Sequence, residues 1–140
     1  MTTRHSDFAI ESAPNWLDVT DDIPGDNVPL TFARPDGFGA LQFSIASYES
    51  GPIPDPSTDT LLNLLRDFAQ SRELGTATDV CTEVEPLRLA AGSFHTDSFI
   101  RVWYVSDGRS FALVTFTCDA EHAADELPDC EQMVRTLLFQ

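Results

Sequence analysis

The 140-residue chain is long enough for one domain with one core, and 42% apolar residues with ten Phe, two Trp and two Tyr exclude a disordered acidic tail. Twenty-three Asp and Glu stand against eight Arg and no Lys, a formal charge of −15. A field of that sign excludes nucleic acid and anionic lipid as partners and speeds association with basic protein surfaces, while fixing neither fold nor chemistry.

The same acid-rich, Lys-free composition also arises from a GC-rich genome or a saline habitat, so charge alone does not assign a role. No apolar run approaches the roughly 18 residues of a membrane span, and the opening MTTRHSDFAI lacks the apolar stretch and cleavage site of a signal peptide, so a cytoplasmic address is expected. Cys81, Cys118 and Cys130 are odd in number without CxxC spacing, which favours buried reduced thiols over a disulfide framework.

Short apolar runs at Phe8–Ile10, Trp16–Val19 and Leu30–Ala33 predict strands, with the acidic loop Asp21 to Asp26 between the second and third. Arg34-Pro35-Asp36-Gly37 predicts a turn in which Gly37 takes positive φ, making a hairpin with a long strand Gly39–Tyr48. In that strand Leu41, Phe43 and Ile45 share the core face. Gly51 to Pro56 is too proline-rich to be an element and reads as a connector. Ser57 then caps a helix with Asp59 in its first turn, Leu61, Leu62, Leu65 and Phe68 on one stripe, and Gly75 as its stop. Strands follow near Val80–Val84 and Leu87–Leu89, with a turn at Gly92.

Between Phe99 and Cys118 two apolar runs flank Ser106-Asp107-Gly108-Arg109, which predicts a hairpin with a two-residue Asp-Gly turn. Ile100, Val102 and Tyr104 lie on one face, Phe99, Arg101, Trp103 and Val105 on the other; Ala112, Val114 and Phe116 oppose Phe111 and Leu113. Both faces are apolar, which demands cover on both sides. A terminal helix with Pro128 in its first position and Met133, Val134, Leu137 and Leu138 as its stripe supplies one cover. The expected fold is α+β: one domain over residues 1–140, with a central antiparallel sheet of about six to eight strands flanked by helices.

This element order, through "FAIESAPNW", "GALQFSIASY", "FIRVWYVSDGRSFALVTFTC" and "CEQMVRTLLF", resembles the Mog1/PsbP-like fold along the whole chain. The resemblance implies binding rather than catalysis, since that family includes a small-GTPase regulator, a photosystem subunit and bacterial relatives resembling effector chaperones or immunity proteins. It carries over no invariant functional residue.

Cys118, His122 and Cys130 are close enough in sequence to suggest zinc, but their spacing fits no known knuckle and buried thiols explain both cysteines, so no metal and no cofactor are expected. His5 and His95 add no ligand. Ser93-Phe94-His95-Thr96-Asp97 holds nucleophile, base and acid in order, yet no GxSxG elbow accompanies it, and it reads as a polar turn. No glycine-rich phosphate cradle, EF-hand or informative carboxylate pair occurs. Arg101 beside Trp103 and Tyr104 is expected to pair internally with a carboxylate.

What remains for partner binding is the acidic set Asp18, Asp21, Asp22 and Asp26, and the connector with Ile53, Asp55 and Asp59. The expectation is a non-enzymatic acidic protein, monomer or small homo-oligomer, that binds a basic protein partner: an immunity protein neutralising a cognate bacterial toxin. The rival readings are a secretion-effector chaperone, which would show an apolar groove, and a small hydrolase or ligand-binding domain with a pocket between sheet and helix, which converging Ser93, His95 and carboxylates would support.

Overall fold

The computed structural model describes residues 2–4 and 8–139; His5 lies outside them. In chain order the elements are β1 (Thr2–Arg4), β2 (Phe8–Glu11), β3 (Leu17–Asp18), β4 (Leu30–Ala33), β5 (Ala40–Ala46), α1 (Thr58–Ser71), β6 (Thr78–Glu83), β7 (Arg88–His95), β8 (Phe99–Ser106), β9 (Phe111–Cys118), α2 (Ala123–Arg135) and β10 (Leu138–Phe139). Seven strands make one antiparallel sheet in the order β3-β4-β5-β9-β8-β7-β6, and β1-β2-β10 make a small second one. The expected α+β architecture is what forms.

The two-sided apolar hairpin dictates the layering. Phe99, Trp103 and Val105 of β8, with Ala112, Val114 and Phe116 of β9 and Leu41 and Phe43 of β5, face Cys130, Met133, Val134 and Leu137 of the α2 segment. Phe8, Ile10 and Trp16 from the chain's start join this layer. On the opposite face Phe94, Ile100, Val102, Tyr104 and Leu113 meet Leu62, Leu65, Phe68 and Ala69 of α1. Burying a large side chain such as Trp103 or Phe43 contributes about 1.5–3 kcal/mol each, which drives both helices onto the sheet.

Ser57 caps α1 as expected, its Oγ accepting from Thr60 N at 3.2 Å. The helix stops earlier than Gly75 suggests. Leu74 N donates to Ala69 O (2.9 Å) and Glu73 N to Gln70 O (3.2 Å), a Schellman closure that puts Glu73, at φ 54°, in the left-handed position glycine usually fills.

Five further expectations change, most of them because of a tertiary contact or a local bond. Gly37 does close a turn, donating to Arg34 O at 3.0 Å, but not with positive φ; a Cβ there would lie 2.5 Å from Glu126 Oε2, so the requirement is space. Gly92 is buried inside β7, whose strand runs on through Ser93, Phe94 and His95; the turn follows at Thr96–Ser98, where Thr96 N donates to Ser98 O. The β8–β9 connection is longer than Asp-Gly, since Ser106 pairs with Phe111. Asp107 Oδ1 accepts from Arg109 N (2.9 Å) and Ser110 N (2.8 Å), an Asx turn that stabilises the wider loop. Pro128 lies inside α2 rather than at its start. The helix begins five residues earlier, at Ala123, and its buried Glu126 accepts from the backbone N–H groups of Phe38 and Gly39, a tertiary anchor at the end that Pro128 leaves one backbone donor short. Leu138, placed on the stripe by sequence, is exposed in β10.

Candidate partner-binding surfaces and an apolar cleft

The acidic segment forms the margin of the sheet at β3 and β4. Asp18 ends β3 and turns inward on its own chain, accepting from Thr20 N (3.0 Å) and Thr20 Oγ1 (2.6 Å). Thr20 in turn accepts Thr31 N at 2.8 Å, so the loop is tied to β4. Asp21 and Asp22 occupy a single 3₁₀ turn, and together with Asp26 they are exposed and form no ion pair among the described residues. Three carboxylates thus face solvent from one short segment.

The connector is a separate place. Ile53 is exposed, and Asp59 is exposed in the first turn of α1. Asp55 is pinned instead: its N–H donates to Gly108 O at 2.8 Å, and its carboxylate pairs with Arg88. Arg88 also donates to Pro56 O at 2.9 Å. Both candidate segments fall at the sheet end where β5 finishes and β9 begins, but β4 and β7 are four strand spacings apart, about 19 Å. The structure therefore does not bring Asp18, Asp21, Asp22 and Asp26 together with Ile53, Asp55 and Asp59 in one cluster.

Arg101 pairs internally, as its place on a covered strand requires. It is 5% exposed and donates to Glu131 Oε1 (2.9 Å), Asp79 O (2.7 Å) and Ser93 Oγ (3.0 Å). Glu131 also accepts from Trp103 Nε1 (3.1 Å) and Arg135 Nη1 (2.6 Å), and Arg135 reaches Glu83 at 2.6 Å. The hydrogen bonds from Arg135 hold the Glu83 carboxyl below the ordinary range, and those bonds in return push Arg135 up. This chain of charges clamps α2 to β6 and β8. Ser93 is buried and its hydroxyl is taken by Arg101, while His95 is exposed against the Phe99 ring, so the Ser-His-Asp sequence assembles no triad.

The thiols do not join His122. Burial pushes the Cys118 thiol up to about 11, with the Glu126 carboxylate adding to it, and burial raises Cys130 further. At neutral pH both are protonated and poor metal ligands. His122 stacks on Phe38 at 3.5 Å between centroids and turns Nδ1 toward Asp119 Oδ2 at 3.9 Å. Asp119, Glu121 and His122 bring one ligand atom each within 4.8 Å, the group among the described residues able to approach a cation.

A further feature had no sequence signal. Between α1 and the edge strand β6 lies a cleft of about 410 Å³ walled by Leu62, Leu65, Ala69, Ala77, Val80 and Phe94, with Arg66, Gln70 and Glu73 at its mouth. Leu62 and Leu65 read as helix core and, with Ala69, they do pack against the sheet; the cleft opens along their flank, beside the irregular edge strand β6. Among the described residues no helix is long and apolar enough to cross a membrane.

The architecture has counterparts among solved structures. A solution structure of cyanobacterial PsbP (CyanoP) from Synechocystis superposes with a TM-score of 0.62 at 8% identity, covering 100% of this chain and 92% of that one. A crystal structure of a Bacteroides thetaiotaomicron protein matches with a TM-score of 0.59 at 15% identity over 95% of this chain, which spans 45% of the Bacteroides chain. The fold is thus PsbP-like. No family model and no curated protein matches the sequence.

Proposed function

We propose that this is a non-enzymatic acidic interaction protein that captures a basic protein partner in the cytoplasm, most concretely an immunity protein that neutralises a cognate bacterial toxin by covering its active surface. The observation that carries this reading is the margin at β3 and β4, where Asp21, Asp22 and Asp26 are exposed and form no ion pair among the described residues, in a chain whose net charge is −15. The commitment of Ser93 to Arg101 supports the non-enzymatic part. An effector chaperone is the second reading, and the apolar cleft beside α1 is what favours it.

Salt separates the two readings. A charge-steered complex forms more slowly as ionic strength rises, whereas docking of an apolar segment scarcely responds. The direct test reverses Asp21, Asp22 and Asp26 to Lys and follows association with the partner recovered from the source organism. The expected outcome is a tenfold or greater fall in on-rate, on the order of what steering supplies, with Tm nearly unchanged. Unaltered capture rejects this margin as the interface.

A further inference from the structure

The cleft between α1 and β6 lies at the opposite margin of the sheet from the acidic segment, and partner binding there leaves it unexplained. Its wall is aliphatic and aromatic, and it is kept open by two backbone features. Beneath it runs Gly92, where a Cβ would stand 3.3 Å from Leu65 Cδ2, 3.4 Å from Ala77 Cβ and 3.6 Å from Val80 Cγ2, all three of them wall residues. At its mouth the chain is left-handed at Glu73, Gly75 and Asp79, and a bulge between Thr78 and Cys81 swings the edge strand away from the helix. Val80 stays 48% exposed as a result, although it points at an apolar wall. Left-handed non-glycine residues cost energy and persist where the surrounding structure, often a ligand clamp, requires them.

The ligand's chemistry follows from the charges at the rim. Arg34, Arg88, Arg101 and Arg135 each meet a carboxylate, whereas Arg66, like Arg4, Arg72 and Arg109, has no ion-pair partner among the described residues, and of these four it is the one that lines the cleft. In a chain with nearly three acids for each Arg, an unmatched guanidinium beside an apolar cleft is a place for an anion to enter. Glu73, in the left-handed closure just beyond the end of α1, lies at the other end of the mouth and repels an anion from there. The −15 field opposes a doubly charged phosphate more than a singly charged carboxylate. The cleft volume lies within the range of small-molecule sites.

We propose that the α1–β6 cleft binds an aliphatic monocarboxylate, its hydrocarbon chain against Leu62, Leu65, Ala69, Val80 and Phe94 and its carboxylate on Arg66. The test titrates the full chain with decanoate, decanol and decyltrimethylammonium, following backbone amide NMR shifts and heats of binding. The expected result is saturable one-to-one binding of decanoate, with shifts centred on Leu62, Ala69, Ala77 and Val80 and the order decanoate, decanol, decyltrimethylammonium in falling affinity. Arg66→Gln lowers decanoate affinity about fivefold, the scale of a partly exposed ion pair, and leaves decanol unchanged. Val80→Trp, at an exposed site that does not threaten folding, occupies the cleft and removes binding of both. Equal affinity for decanoate and decanol, insensitivity to Arg66→Gln, or shifts centred away from the cleft would overturn the proposal. None of these results depends on the Asp21, Asp22 and Asp26 reversal, so the two readings fail separately.

Discussion

The two faces of the seven-stranded sheet are made from the same kinds of residue and end in different states. On the α2 face the helix, the small β1-β2-β10 sheet and the chain around Trp16 close over the strands, and three buried polar groups there are matched: the Arg101 guanidinium and the Trp103 indole N–H by Glu131, and the Glu126 carboxylate by the N–H groups of Phe38 and Gly39. On the α1 face a single helix lies across β6, β7 and β8, leaving the α1–β6 cleft on one flank and a shallower apolar hollow at Ala46, Leu64, Tyr104 and Phe111 on the other. One helix is about 10 Å wide and four strands about 19 Å, so a lone helix cannot cover a sheet of this breadth. Stability is therefore concentrated on one face and open volume on the other.

That asymmetry breaks most visibly at its best-connected charge. Glu131→Ala leaves the buried Arg101 guanidinium without its carboxylate and should cost about 3–5 kcal/mol in denaturant unfolding. If the loss is below about 1 kcal/mol, the clamp between α2 and the sheet is not a main support of the closed face.

Alkaline pH sharpens the comparison at intermediate size. The folded thiols of Cys118 and Cys130 hold their protons above the ordinary value of 9, Cys118 up to about 11, while the unfolded thiols ionise from about 9 upward. The native state then binds more protons than the unfolded one, so stability falls as pH rises from about 9 to about 11, by up to about 1.4 kcal/mol per unit for each thiol. Below that window these groups contribute no slope. Unfolding curves at pH 8.5 and 10.5 measure it, and Cys130→Ala should remove its share; an unchanged slope would mean that this side of the core admits water.

The smallest effect belongs to the open face. Glu73→Gly relieves a left-handed residue at the end of α1 and should raise stability by about 0.5–1 kcal/mol in thermal unfolding. A loss instead would mean that Glu73 makes up its strain through a contact at the cleft mouth.

Much of this architecture was readable from residue order. Alternation in Leu41, Phe43 and Ile45, the cap at Ser57 and the doubled apolar faces of Phe99–Cys118 are local signals, and they placed β5, α1 and the central hairpin. The internal pairing of Arg101 was readable for a related reason: a guanidinium on a strand covered on both sides has to find an acid. The turn at Gly92 and the start of α2 at Pro128 were misread because both residues usually act as local punctuation. Here Gly92 answers to Leu65, and Pro128 is carried inside a helix anchored by Glu126. Of the candidate surfaces, sequence located the exposed carboxylates of Asp21, Asp22 and Asp26, but gave no sign that Asp55 is tied to Arg88 or that a cleft flanks α1.

Periodicity, capping and charge count depend on neighbours within a few residues, and the chain alone determined strand faces, the α1 start, the α+β class and the surplus of acid. Which glycines are bare to admit a neighbour, which acids are spent on arginines and where volume stays unfilled depend largely on atoms far apart in the chain, as Gly37 on Glu126, Asp55 on Arg88 and Arg101 on Glu131 do. Those were decided only when the sheet and its two helices packed, because close packing, unlike propensity, is a property of surfaces that meet.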